Sequence, residues 1–233
     1  MIANVLSVAG SDPSGGAGIQ ADLKAFAAQG VYGMAALTAL TAQNTRGVSG
    51  VWMVPPEFVR EQIAVVLADV RVDAVKIGMI GTADDGVAAV RDRLVPLAHV
   101  VTPNLGEAAA LTGAETARDR EGIAAAARAL IGLGAAAALV KGGHLDGSDS
   151  PDLLASDGGE VWLEGARVAT RNSHGTGCTL SAALAARLGR GEDLETAARA
   201  AKAYVAGALA AADRLDVGSG HGPTHHFHAL WTA

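Results

Sequence analysis

Within seven residues, Asn172-Ser173-His174-Gly175-Thr176-Gly177-Cys178, the chain places a histidine, two glycines and its single cysteine. An apolar pattern at helical spacing follows at once: Leu180, Ala183, Leu184 and Leu188. A glycine turn therefore opens onto a helix N-terminus. Backbone N–H groups there lack intrahelical partners, and the helix dipole is positive. Such an end binds anions, and a thiol at it has its thiolate stabilised. A phosphate and a proton acceptor can meet in this stretch. The alternative is a tight turn in which Cys178 is only a small apolar residue.

Other residues invite chemistry by type and spacing. Lys141 precedes Gly142-Gly143 at a strand end and offers a point charge to phosphates. Asn104 and Glu107 are three apart across a helix start, so their oxygens can face one hydrated Mg²⁺. The same pair also reads as a helix cap with a first-turn acid. Gln43 carries both donor and acceptor, and with Asp22 can bind a polar heteroaromatic ring. His221, His225, His226 and His228 suggest a metal site but lack an acidic or cysteine partner. Gly16-Ala17-Gly18 opens a helix after a strand, as in dinucleotide-binding folds. That reading needs an acidic residue about 20 positions on, and none occurs between Asp22 and Glu57. A phosphate-binding P-loop is excluded because the Lys-Gly order is reversed here.

These residues must be held by something. Apolar runs predict strands at Val5–Ala9, Met34–Thr41, Ala74–Met79, Val100–Thr102 and Ala137–Val140. Helical patterns follow Gly18, start at Pro55-Pro56, cover Val87–Leu97, Glu107–Leu111 and Glu121–Leu133, and fill the last third. Asp157-Gly158-Gly159 predicts a hairpin. Alternating strands and helices imply a mostly parallel sheet with helices on both faces, an α/β fold. Ligands of such sheets bind beyond the carboxyl ends of the strands. Gly10, Gln43, Met79, Asn104, Lys141 and His174 all fall at such ends.

With 233 residues, half of them hydrophobic, one domain spanning 1–233 can bury a core without disulfides or metals. A net charge of −6 argues against nucleic acid or an anionic membrane as main partner. A single cysteine suits a reducing compartment. No leader segment and no membrane span are expected, which points to the cytoplasm.

The run Ala9-Gly10-Ser11-Asp12-Pro13-Ser14-Gly15-Gly16-Ala17-Gly18-Ile19-Gln20-Ala21-Asp22 resembles the N-terminal signature of the hydroxymethylpyrimidine/phosphomethylpyrimidine kinases of thiamine biosynthesis. Thr41-Ala42-Gln43-Asn44, Lys76-Ile77-Gly78-Met79, Thr102-Pro103-Asn104 with Glu107, Lys141-Gly142-Gly143-His144, His174–Cys178 and Gly220-His221-Gly222-Pro223 match in order. The resemblance implies a ribokinase-like three-layer sandwich and ATP- and Mg²⁺-dependent phosphorylation of 4-amino-5-hydroxymethyl-2-methylpyrimidine, then of its monophosphate. It implies that Gln43 bonds the pyrimidine, with Asp22, Gly10 and Met79 around it. Lys141, Asn104 and Thr176 would bind ATP, and Glu107 with Asn104 would belong to the Mg²⁺ region. Gly175 and Gly177 would form an anion hole, and Cys178 would take the hydroxyl proton. A homodimer is implied too. Pyridoxal kinases are the nearest alternative.

One departure stands out. Relatives carry more chain between the Lys76–Met79 and Val100–Asn104 strands, and about 30 residues are missing here by common α/β unit lengths. A true deletion near Ala83–Asp85 makes a non-catalytic pyrimidine-binding homologue a further alternative.

Overall fold

The computed structural model describes residues 1–79 and 84–231, with Asp84 and Asp85 described in backbone only. The question of chain continuity at Ala83–Asp85 falls outside the described residues. In chain order the elements are β1 (Asn4–Ala9), α1 (Gly18–Ala28), β2 (Tyr32–Leu37), β3 (Ala39–Asn44), β4 (Gly47–Met53), α2 (Pro56–Asp69), β5 (Ala74–Ile77), α3 (Asp84–Ala89), α4 (Leu105–Thr112), α5 (Arg120–Gly132), β6 (Ala137–Lys141), β7 (Asp152–Ser156), β8 (Gly159–Leu163), α6 (Thr176–Gly189) and α7 (Leu194–Ala210). They fall into two compact units, residues 1–81 with 168–233, and residues 82–167.

In the first unit β2, β1 and β5 form a parallel sheet in that order. Alternation along β1 supplies both of its faces. Val5 packs with Ala25 and Phe26 of α1 and with Ala182, Ala185 and Ala186 of α6. Leu6 and Val8 point the other way, where Val59 and Ile63 of α2 cover them. Helices thus lie on both faces, as the α/β reading requires. The helical spacing of Val59, Ile63 and Leu67 predicts a stripe one turn longer, but Leu67 is 55% exposed.

The expected strand from Met34 to Thr41 is two strands broken at Thr38. Thr38 N–H donates to Ala9 O (3.0 Å) and its hydroxyl to Met79 O (2.7 Å). β3 then leaves the parallel sheet and pairs antiparallel with β4. Nothing in the sequence pattern announced β4, since Ser49 and Gly50 interrupt its apolar run and its side chains are mostly exposed.

The second unit is built on an antiparallel sheet, β6-β7-β8, with its β7–β8 turn at the expected Asp157-Gly158. Ile123, Ala127 and Leu130 lie on one stripe of α5 and pack with Ala138, Val140 and Leu153. The strand expected at Val100–Thr102 is reduced to a parallel bridge from Val101 to Ala138. The helix expected over Val87–Leu97 starts as α3 and ends in π and 3₁₀ turns around Pro96. Among the described residues no helix is long and apolar enough to cross a membrane.

Candidate active site

In the first unit the chain leaves the carboxyl ends of β1 and β5 close to the start of β3. Gly10 O accepts from Ile19 N–H (2.9 Å), and Ser11 N–H donates to Ala39 O (2.8 Å). A Cβ on Gly10 would stand 3.1 Å from Met79 Cε, so Gly10 and the half-exposed Met79 are neighbours. Thr41 and Gln43 share one face of β3, and the register shift between Ala42 and Gln43 leaves Ser49 of β4 as the extra residue of a bulge opposite them. Gln43 Oε1 lies 3.2 Å from Thr41 Oγ1, and Gln43 Nε2 lies 3.3 Å from His174 Nε2.

His174 also reaches Asp12, with Nε2 2.8 Å from Oδ2. Asp12 is 1% exposed. Its Oδ2 accepts from the N–H groups of Gly16 (3.1 Å) and Ala17 (2.8 Å), and its Oδ1 from Ser14 N–H and Oγ. Burial pushes the Asp12 carboxyl up, but hydrogen bonds from Ser14, His174 and Ala17 outweigh it and hold the carboxyl below its ordinary value. Asp12 and His174 are the site residues the motif reading left without a role. Only the adjacency of His174 to the glycine turn hinted at it.

Gly175 caps α6 with φ +79°, where a side chain would run into the Gly16 carbonyl oxygen. Thr176, Gly177 and Cys178 form the first turn of α6. Thr176 N–H is spent on the Ser173 carbonyl (3.2 Å), and Gly177 and Cys178 follow it in the turn, where amides lack the helical i−4 partner. The Cys178 thiol is half-buried in the same turn. Asp22, expected beside the pyrimidine, has no exposed surface. It points inward from α1, where its Oδ2 accepts from Ser7 Oγ (2.6 Å) and Lys76 Nζ (2.8 Å). That buried cluster ties α1 to β1 and β5.

The second unit brings Asn104, Glu107 and Lys141 together. Asn104 caps α4 and forms a capping box with Glu107: Glu107 N–H donates to Asn104 Oδ1 (2.9 Å), and Asn104 N–H donates to Glu107 Oε2 (2.7 Å). Asn104 bridges to Lys141 in parallel register, and Lys141 Nζ stands 3.7 Å from Glu107 Oε2. The cap reading of this pair therefore holds in its geometry. The Glu107 carboxylate is still 57% exposed, while Lys141 keeps 17% of its side chain open. An accessible carboxylate beside an amide oxygen suits an Mg²⁺ ion that keeps most of its waters.

Among the described residues no three His, Cys, Asp or Glu side chains are placed to hold a metal. The C-terminal histidines are structural instead. His226 Nε2 lies 3.0 Å from Thr179 Oγ1, and the His228 ring packs on Tyr204.

The family pattern described as phosphomethylpyrimidine kinase matches residues 12–85 and 82–225. The chain is 48% identical to a hydroxymethylpyrimidine/phosphomethylpyrimidine kinase of Rhizobium meliloti, over 99% of each chain. It is 45% identical to the Escherichia coli kinase of that name, over 98% of each. The Rhizobium alignment runs to 264 positions against 233 residues here, so that relative carries residues this chain lacks. The two matched segments meet at 82–85, where the short link stands. Among solved structures, a Bacillus subtilis pyridoxal kinase in complex with ADP is 32% identical with a TM-score of 0.92, covering 98% of this chain and 99% of that one. A Staphylococcus aureus pyridoxal kinase with AMP-PCP and pyridoxal is also 32% identical with a TM-score of 0.92, covering 99% and 95%. Matched by this pattern over most of its length, and 45–48% identical to relatives of that name over nearly the whole of each chain, the chain belongs to the phosphomethylpyrimidine kinase family.

Proposed function

We propose that this protein is an ATP-dependent kinase of thiamine biosynthesis. It phosphorylates the hydroxymethyl oxygen of 4-amino-5-hydroxymethyl-2-methylpyrimidine and then the monophosphate to the diphosphate. The observation that carries the reading is the half-buried Cys178 thiol in the first turn of α6, in the same unit as the anchored Gln43 amide. Relatives named for this kinase activity, and a Geobacter sulfurreducens relative named as a bifunctional thiamine biosynthesis protein, support it.

Gln43 bonds the pyrimidine edge, with Gly10 and Met79 beside the ring. Asp22 has no surface to offer and acts by holding α1 in place. Backbone N–H groups at Gly175 and Gly177 receive the transferring phosphoryl group, and Cys178 accepts the hydroxyl proton at Sγ. Phosphoryl transfer needs positioning and charge neutralisation more than a strong base, which a thiolate at a helix end can serve. Lys141, Asn104 and Thr176 bind ATP phosphates, and Glu107 with Asn104 holds hydrated Mg²⁺. When bound, Mg²⁺ neutralises phosphate charge. The enzyme works in the cytoplasm as a homodimer.

The likeness to pyridoxal kinases favours pyridoxal as a second substrate. One assay decides. Purified protein with Mg-ATP is expected to phosphorylate the pyrimidine faster than pyridoxal. Cys178→Ala is expected to lower kcat about 10²- to 10⁴-fold with pyrimidine affinity unchanged. Pyrimidine binding without phosphate transfer by the wild type would instead establish a non-catalytic homologue.

A further inference from the structure

We propose that His174, itself held by Asp12, fixes the Gln43 amide with its oxygen toward the imidazole, and that this orientation selects an amino-bearing ring over the same ring bearing an oxo group. The selection rests on Gln43 as the pyrimidine-binding residue. The orientation rests only on hydrogen bonds inside this chain.

The argument starts at Asp12. Its two carboxylate oxygens are surrounded by N–H and O–H donors from Ser14, Gly16 and Ala17. An ionised carboxylate only accepts. His174 Nε2, 2.8 Å from Oδ2, must carry a hydrogen and donate it, whether the ring is neutral or a cation. The same Nε2 stands 3.3 Å from the Gln43 amide nitrogen. A ring nitrogen bearing hydrogen has no lone pair in the plane, so that placement sets two donors face to face. Rotating the amide by 180° puts Oε1 there, where it shares the ring hydrogen.

The opposite end of the amide demands the same rotation. Thr41 Oγ1 lies 2.9 Å from the Ser11 carbonyl oxygen and 3.2 Å from the Gln43 terminus. A carbonyl only accepts, so the single hydroxyl hydrogen goes to Ser11. What the hydroxyl has left for Gln43 is a lone pair, and it needs an N–H opposite it. Amide ends are told apart by their partners. Both partners here put Oε1 toward His174 and Nε2 toward Thr41.

One lone pair and one hydrogen then remain on the amide, side by side. They match an amino group next to a ring nitrogen: the oxygen takes the amino hydrogen, and the N–H reaches the ring nitrogen. In a 4-amino-5-hydroxymethylpyrimidine the hydroxymethyl carbon lies on the far side of the amino group from that ring nitrogen. An amide oxygen on the His174 side therefore sends the hydroxymethyl group toward the Gly175–Cys178 turn. The reversed amide would turn the ring end for end and carry the hydroxyl away from the thiol. A 4-oxo ring with hydrogen on its nitrogen presents acceptor and donor in the wrong order, and is refused.

Two measurements test this. In proton NMR of the wild-type protein, the Gln43 NH₂ hydrogens are expected to show cross-relaxation to Thr41 and none to the His174 ring N–H. The reverse pattern overturns the orientation with no ligand involved. By calorimetry, the wild type is expected to bind the 4-amino ring about 100-fold or more tighter than its 4-oxo analogue. H174F removes one of the two partners that fix the amide and leaves only the Thr41 lone pair to hold it, so the oxo analogue is expected to bind tighter than to wild type and the ratio to fall to about tenfold or less. H174Q, which restores an N–H donor, is expected to recover the ratio. Equal weakening of both rings in H174F overturns the selection. If Gln43→Ala leaves both affinities unchanged, Gln43 does not bind the ring, and the selection fails while the NMR pattern still decides the orientation.

Discussion

Asp12 Oδ2 and His174 Nε2 lie 2.8 Å apart although 162 residues separate them in sequence. This contact, with Gly16 pressed against Gly175, locks the first glycine-rich loop onto the turn that starts α6. The loop holds the ring-binding side of the proposed site, and the turn holds its phosphate-binding side. Neither is placed by a regular element alone.

Lys141 sits in the second unit, where among the described residues its ammonium makes only a long contact, to Glu107 at 3.7 Å. An ion pair with so exposed a partner contributes at most about 1 kcal/mol. Lys141→Ala is therefore expected to leave the melting temperature almost unchanged. Its KM for ATP is expected to rise about 10- to 100-fold, the usual worth of a charge-assisted bond to phosphate. Steady-state kinetics at varied ATP reads this, and an unaltered KM would remove Lys141 from the phosphate site.

The Lys76–Asp22 pair is a different case. Both partners are buried and 2.8 Å apart, and Asp22 Oδ1 has no hydrogen-bond partner among the described residues. Burial pushes the Asp22 carboxyl up, against the pull of Lys76 and Ser7. Lys76→Met strands that carboxyl and is expected to cost about 3–5 kcal/mol in urea unfolding. Adding Asp22→Asn is expected to recover much of the loss. A single variant as stable as wild type would show that the pair adds nothing.

His226 gives a pH signature. Burial, then the nearby Lys24 charge, push its imidazole down to about 4. The ring is held neutral against Thr179 Oγ1 behind the first turns of α6. A base depressed from 6.5 stabilises the fold above that pH, and its contribution is lost as pH falls from 6.5 through about 4. Stability is expected to drop over that window by an amount on the order of 2–3 kcal/mol. His226→Gln is expected to flatten the drop in urea titrations at pH 7, 5.5 and 4. An unchanged profile would assign the acid sensitivity elsewhere.

Much of the site was legible because its residues follow strand ends and open helices, and glycine and proline mark those junctions. Cys178 at the α6 start and the Asn104–Glu107 cap came from spacing alone. Asp22 did not, because an acid in a helix's first turns reads the same whether it faces solvent or a buried lysine. Its partner Lys76 lies 54 residues on, in a strand whose pattern is simply apolar. The β3–β4 hairpin was missed because exposure, which sequence alternation cannot report, allowed an irregular strand. His174 was visible, but its role needed a carboxylate from the other end of the chain.

The C-terminal loop adds a final consequence. Thr45, at the tip of the β3–β4 hairpin, accepts at its carbonyl from His221 N–H (2.8 Å) and at its hydroxyl from Gly220 N–H (3.2 Å). Gly222 O accepts from His174 N–H (3.0 Å), and Asn172 Oδ1 accepts from Gly222 N–H (3.1 Å). A few residues made well after the hairpin thus brace both it and the turn that carries the thiol. At ~5–20 residues per second, the 175-residue separation between Thr45 and Gly220 leaves the hairpin unbraced on the ribosome for roughly 10–35 s. The ring-binding half of the site thus emerges well before the residues that complete it.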